Sequence, residues 1–258
     1  MNTFQTIIQG RLVTILLNRG RSNAINHEMV KELDACIKTL ESDDNVGGVI
    51  LTGKEGFFSS GIDLIEAYDY NEEQSRQFWI DFLALQNTLA TFRKPIVAAI
   101  SGHSPAGGCV LAICCDYRIM AEGAFIIGLN EVPVGIIVPD SVFNLYAFWL
   151  GQRKAYQYLM EGKLLQVNEA LEAGLIDAVV SPDKLMNAAT EKVTAYMKLN
   201  PVTWTESKLN LRKELTGKLE ADQTETLNKM LKQWWATETR QGLQMMIQNL
   251  KSKNTAVK

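Results

Sequence analysis

The chain has 258 residues, 47% of them hydrophobic and 21% charged, which is enough apolar content for a substantial core in one large or two small domains. A net charge of −3 without a basic stripe argues against nucleic acid as a partner, and no apolar run reaches the length of a membrane span. The N-terminus shows neither a signal-peptide pattern nor an Arg-rich transit segment, so a cytoplasmic location is expected.

Residues 3–8 and 11–17 read as a strand pair broken at Gly10. Residues 27–42 put Val30, Leu33, Ile37 and Leu40 on one helical face, with Asn26 as N-cap and Glu28 in the first turn. A buried strand follows at Val49–Thr52, then a second helix over 72–92 carrying Phe78, Phe82, Leu85 and Leu89. Lys94-Pro95 forces extended backbone before the strand Ile96–Ile100. A short helix opens near Gly108, and strands return at Tyr117–Ala121 and Phe125–Gly128. Strands alternating with helices predict an α/β fold whose loops carry function. Beyond about residue 140 the pattern turns helical, over 141–161, 167–173, 182–198 and much of 201–251, with breaks at Gly151, Gly162, Gly174 and Asn200-Pro201. The predicted organisation is a core over 1–200 and a C-terminal helical region over 201–258. Trp234, Trp235, Leu243, Met246, Ile247 and Leu250 on that tail need burial, either on their own core or in a subunit interface.

Cys36, Cys109, Cys114 and Cys115 match neither a disulfide framework nor zinc spacing, so reduced core cysteines and no metal are expected. Two loop segments stand out instead. Phe57-Phe58-Ser59-Ser60-Gly61-Ile62-Asp63 and Ser104-Pro105-Ala106-Gly107-Gly108 each follow an apolar strand and can each aim a backbone N–H at one oxygen. Some twenty residues later Glu131 is a single carboxylate in an uncharged run. Two donors facing one carboxylate suit chemistry at a carbon beside a carbonyl, the donors holding an enolate oxygen while the acid moves a proton. Gly102-His103-Ser104-Pro105-Ala106 comes near the nucleophile elbow of hydrolases. That reading fails because Ala106 stands where the elbow needs glycine, and no histidine follows Ser104.

Asn23-Ala24-Ile25-Asn26, Phe58–Leu64, Ser104–Cys109 and Cys115–Ala121, in that order, resemble the crotonase (enoyl-CoA hydratase/isomerase) superfamily. Ile127–Glu131 followed by Gly135–Pro139 is most similar to its mitochondrial-type Δ3,Δ2-enoyl-CoA isomerases. The resemblance implies a crotonase-like spiral of repeated ββα units whose C-terminal helices assemble a homotrimer or hexamer. It implies an acyl-CoA substrate, no separate cofactor and no membrane or nucleic-acid partner, with Ile62 and Gly107 as oxyanion donors and Glu131 as the proton carrier. Hydratases of the superfamily have a second glutamate directly after Gly-Gly-Cys, where this chain has Val110. A valine cannot activate water, so the resemblance implies an isomerase moving a double bond from C3 to C2. The alternatives are hydratase or thioesterase chemistry on the same fold, or a non-catalytic acyl-CoA-binding protein.

The same resemblance puts coenzyme A along Ala24 and the Ser60, Gly61, Ile62, Asp63, Leu64 stretch, with Asp63 bracing the loop. Asn130 either touches the acyl part or shapes its turn. Arg19, Arg21, Lys251 and Lys253 either meet CoA phosphates or remain solvated. Phe143, Phe148 and Trp149 either wall an acyl pocket or pack in the core.

Overall fold

A computed structural model describes residues 2–255; the side chains of Lys251 and Lys253 lie outside the described residues, and with them their proposed phosphate contacts. Strand β1 (Phe4–Gln9) turns through Gly10, at φ +61°, onto its antiparallel partner β2 (Leu12–Leu17). Helix α1 (His27–Ser42) is capped by Asn26, whose side chain accepts the Met29 N–H at 3.0 Å, and buries Met29, Val30, Leu33, Cys36 and Ile37.

Next come β3 (Gly48–Thr52), β4 (Gly56–Phe57), α2 (Leu64–Asp69) and α3 (Glu72–Thr91). The path then repeats as β5 (Ile96–Ile100), β6 (Gly102–Pro105) and α4 (Gly107–Cys114), and again as β7 (Tyr117–Ala121), β8 (Ile126–Gly128) and α5 (Asp140–Leu150). Each unit places one strand in a first sheet, one in a second, and then a helix, which is the expected ββα spiral. Helix α6 (Gln152–Glu161), β9 (Leu164–Gln166), α7 (Val167–Ala173), β10 (Ala178–Val180) and α8 (Leu185–Met197) follow.

The first sheet runs β1-β2-β3-β5-β7-β10 and is parallel except for β1; the second runs β4-β6-β8-β9. Strands β3 and β5 are buried on both faces, which explains their unbroken apolar sequence. Val49 and Leu51 face the main core, whereas Ile50 faces a smaller one beneath Leu185, Ala189 and Val193 of α8.

The tail comprises α9 (Pro201–Leu211), α10 (Lys213–Glu220), α11 (Thr224–Trp234) and α12 (Thr237–Thr255). Helix α10 packs on α3 and α5, α11 on α3, and α12 over α2. Trp234, Leu243 and Ile247 are buried within their own chain, whereas Trp235 and Met246 are half-buried and Leu250 is exposed. A buried charge cluster fastens the tail. Lys208 Nζ lies 2.9 Å from Asp116 Oδ1 and donates to Phe92 O at 2.6 Å, while Arg212 bonds the carbonyls of Ala90, Cys114 and Cys115.

Candidate active site

The loop between β4 and α2 uses almost all of its backbone donors. Phe58 and Ser59 N–H bond His103 O, Ser60 N–H bonds Ser22 O, Gly61 N–H bonds Ser59 Oγ and Asp63 N–H bonds Ile25 O. Ile62 N–H alone in this stretch has no acceptor among the described residues. Asn23, itself at φ +50°, holds the loop from below by donating to Phe58 O at 3.1 Å and accepting from Ser59 Oγ through its own carbonyl at 2.8 Å. With no acceptor in the chain, this N–H is available to an acceptor from outside it.

A second free donor lies beside it. Gly107 opens α4 and therefore has no intrahelical acceptor, and its N–H finds no other acceptor among the described residues. Ala106 just before it has φ +49° and ψ −124°, a conformation that costs a non-glycine residue about 1–3 kcal/mol. A methyl group built on Gly107 would sit 3.4 Å from the Ile62 nitrogen, and one built on Gly61 would sit 3.2 Å from the Gly107 nitrogen. The two N–H groups are neighbours across a junction that only glycines allow to close.

Glu131 follows β8 at the entry to a 3-10 turn over Val132–Val134, where its own carbonyl accepts from Val134 and Ile136 N–H. The residue is 9% exposed, and its Oε2 has no hydrogen-bond partner among the described residues. Burial pushes its carboxyl up from 4.5 to about 7, with the N–H groups of Glu131 and Asn130 pulling the other way.

Ser60, Ile62, Leu64, Gly107, Asn130 and Glu131 line one cavity of about 200 Å³; Ala24, Gly61 and Asp63 do not. Val110 lines it too, and among the described lining residues Glu131 is the only ionisable one. Trp79 and Phe82 of α3, Val142 of α5, and Met246 and Leu250 of α12 complete an apolar wall that the sequence alone did not assign.

Several candidates have other employment. Asp63 caps α2, its Oδ1 accepting from Ile65 and Glu66 N–H, and pairs with Arg19 at 2.7 Å. Arg19 is thereby committed to the protein, while Arg21 is exposed. Phe143, Phe148 and Trp149 do not line the cavity: Trp149 stacks on Arg118 at 3.6 Å and donates to Ile113 O. Ser104 is fully buried, and no hydrogen bond joins it to His103 among the described residues.

A model of the enoyl-CoA hydratase/isomerase family matches residues 8–255. The chain belongs to that family. It is similar to mouse "Enoyl-CoA delta isomerase 1, mitochondrial", with 38% identity over 177 residues, 68% of this chain. That match spans 61% of the length of the mouse relative. A "Probable enoyl-CoA hydratase" of Rhizobium meliloti is 33% identical over 201 residues, covering 75% of this chain and 77% of that one. Among solved structures, human mitochondrial delta3-delta2-enoyl-CoA isomerase superposes with a TM-score of 0.93 at 28% identity, covering 98% of this chain and 99% of the human one. The fold is therefore that of the family, and no helix among the described residues is long and apolar enough to cross a membrane.

Proposed function

We propose that the protein is a Δ3,Δ2-enoyl-CoA isomerase, which converts a 3-enoyl-CoA into the 2-trans-enoyl-CoA. Ionised Glu131 takes a proton from C2 and the electron pair delocalises onto the thioester oxygen, giving a dienolate. The N–H groups of Ile62 and Gly107 hold that oxygen. Glu131 then returns the same proton to C4, so the double bond moves with no water consumed and no redox change. Coenzyme A enters as part of the substrate, along Ala24 and Ser60–Leu64, and the chemistry needs no separate cofactor or metal.

One observation carries this reading: a lone buried carboxylate shares an apolar cavity with two unpaired backbone donors, and Val110, which follows Gly-Gly-Cys where the resemblance puts the second glutamate of hydratases, lines the same cavity. Hydration needs that second acid to activate water, so the hydratase names among the relatives carry less weight than the cavity wall. The test is steady-state turnover of a 3-enoyl-CoA, followed by the appearance of the conjugated thioester. Wild type converts it, and Glu131→Gln loses about 10²–10⁴ in kcat while still binding the thioester. Rapid loss of conjugation when 2-trans-enoyl-CoA is supplied instead would move the assignment to hydratase. The same reading extends to a homotrimer or hexamer, the assembly that the family resemblance implies, and sedimentation velocity checks it. Four free buried thiols suit a reducing compartment, and fractionation checks whether that compartment is the cytoplasm.

A further inference from the structure

The free N–H of Ile62 sits between two bonds of a short parallel bridge, in which Ile25 N–H donates to Gly61 O and Asp63 N–H donates to Ile25 O, both at 2.8 Å. One guanidinium spans this bridge. Arg19 Nη1 donates to Ala24 O at 2.8 Å on one side and to Asp63 Oδ2 at 2.7 Å on the other, and Nη2 donates to Glu66 Oε2 at 2.8 Å. Glu66 is itself held by Asn26 Nδ2 at 2.9 Å and by the Tyr70 hydroxyl at 2.7 Å. The Arg19 backbone reaches the other end of the same loop: its N–H donates to Asn23 Oδ1, and Asn23 donates to Phe58 O. The Arg19 side chain is only 25% exposed and Asp63 15%, so these charge-assisted bonds are partly shielded from water.

We infer that Arg19 is a positioning residue for the oxyanion site, clamping the Ala24–Ile25 and Gly61–Asp63 segments so that the Ile62 N–H keeps its aim at the thioester oxygen. The inference rests on the oxyanion reading proposed above. A flat fork with fixed donors suits this task because it engages three acceptors on two segments at once; a lysine reaches fewer of them and without fixed direction. Asp63 is the arm through which the clamp acts on the residue next to the donor.

The experiment reads polarisation and turnover separately. A saturated acyl-CoA with an isotopically labelled thioester carbonyl is bound to the protein, and its infrared carbonyl band is compared with that of the free thioester. Wild type lowers the band. Arg19→Ala loses most of that lowering and about 10–10² in kcat, a fraction of what deleting an oxyanion donor costs, while KM changes less than about threefold. Arg19→Lys recovers part of both. Asp63→Asn, which keeps its capping oxygen for Ile65 and Glu66, reproduces the Arg19→Ala loss, and the double variant loses no more than either single one. Full band lowering and full kcat in a folded Arg19→Ala or Asp63→Asn protein overturn the Arg19 role alone. A wild-type band that does not move overturns the oxyanion reading and this inference with it.

Discussion

Glu131→Gln tests more than turnover, because the charge it removes is one the fold tolerates badly. Holding the carboxyl at about 7 rather than 4.5 makes its ionisation in the folded chain costlier by about 3 kcal/mol than in the unfolded chain. The pKa is raised on folding, so the stabilising contribution of the protonated form is complete below about 4.5 and is lost as pH rises through about 7. Glutamine carries no titrating proton and so escapes that loss. Wild type and Glu131→Gln are therefore expected to melt close together near pH 4.5 and to diverge as pH rises, the variant being more stable by about 6–12 °C at pH 8.5, taking about 2–4 °C per kcal/mol for a chain of this size. Scanning calorimetry at a series of pH values reads the divergence. The activity runs the opposite way: kcat/KM of wild type falls about tenfold per pH unit below about 7, where the free enzyme's base becomes protonated. Melting curves that stay parallel across the series, or a kcat/KM that is flat between pH 5 and 8, would refute the claim that a desolvated Glu131 is the base.

Two further substitutions probe the donors and the scaffold. Gly107→Ala puts a methyl 3.4 Å from the Ile62 nitrogen and 3.0 Å from the buried Ile25 Cδ1, so kcat for a 3-enoyl-CoA should fall by about 10²–10³, with about 1 kcal/mol lost in urea unfolding from the crowding. Lys208→Met leaves Asp116, 6% exposed, with Arg212 and the Ile96 N–H as its partners, and should cost about 3 kcal/mol in urea unfolding.

Much of this was legible in the sequence, where a period or a lone charge announces itself. Asn26 and the stripe Val30, Leu33, Ile37 give α1 at its observed ends, and the unbroken apolar runs give β3 and β5. Glu131 shows itself as one acid among apolar residues. Strands β4, β6, β9 and β10 have two to four residues each, too few to display any alternation, and they owe their pairing to neighbours distant in the chain. Helix α2, six residues long, depends on its Asp63 cap more than on a stripe. The cavity wall was hidden for a different reason. Periodicity puts Phe82 on the buried face of α3, but only the packing of α12 decides that this part of the face meets a void rather than a neighbour. Arg19 looked like a solvated or phosphate-binding cation because its partners Asp63 and Glu66 lie 44 and 47 residues away.

Among the described residues, the two non-glycine positions with positive φ are Asn23 and Ala106, and each borders a segment that leaves one N–H unpaired. Such strain persists only where the surroundings over-determine it. At Ala106 the surroundings include the Cα of Gly61: a methyl added to Gly61 would lie 2.9 Å from the Ala106 methyl, so the existing methyl already fills the gap between the two loops. Ala106→Gly separates the two roles. Glycine adopts φ +49° without penalty, and relief of about 1–3 kcal/mol offsets the roughly 0.4–1 kcal/mol lost to a freer unfolded chain and about 0.8 kcal/mol for the packed methyl, so the variant should be at least as stable as wild type. The same change removes the spacer that sets the distance between the Ile62 and Gly107 donors. Turnover should therefore fall, by about tenfold if roughly half the benefit of one donor is lost, while thioester affinity is kept. A variant that is both less stable and fully active would mean that the strained backbone at Ala106 is an accident of packing rather than the cost of aiming two amides at one oxygen.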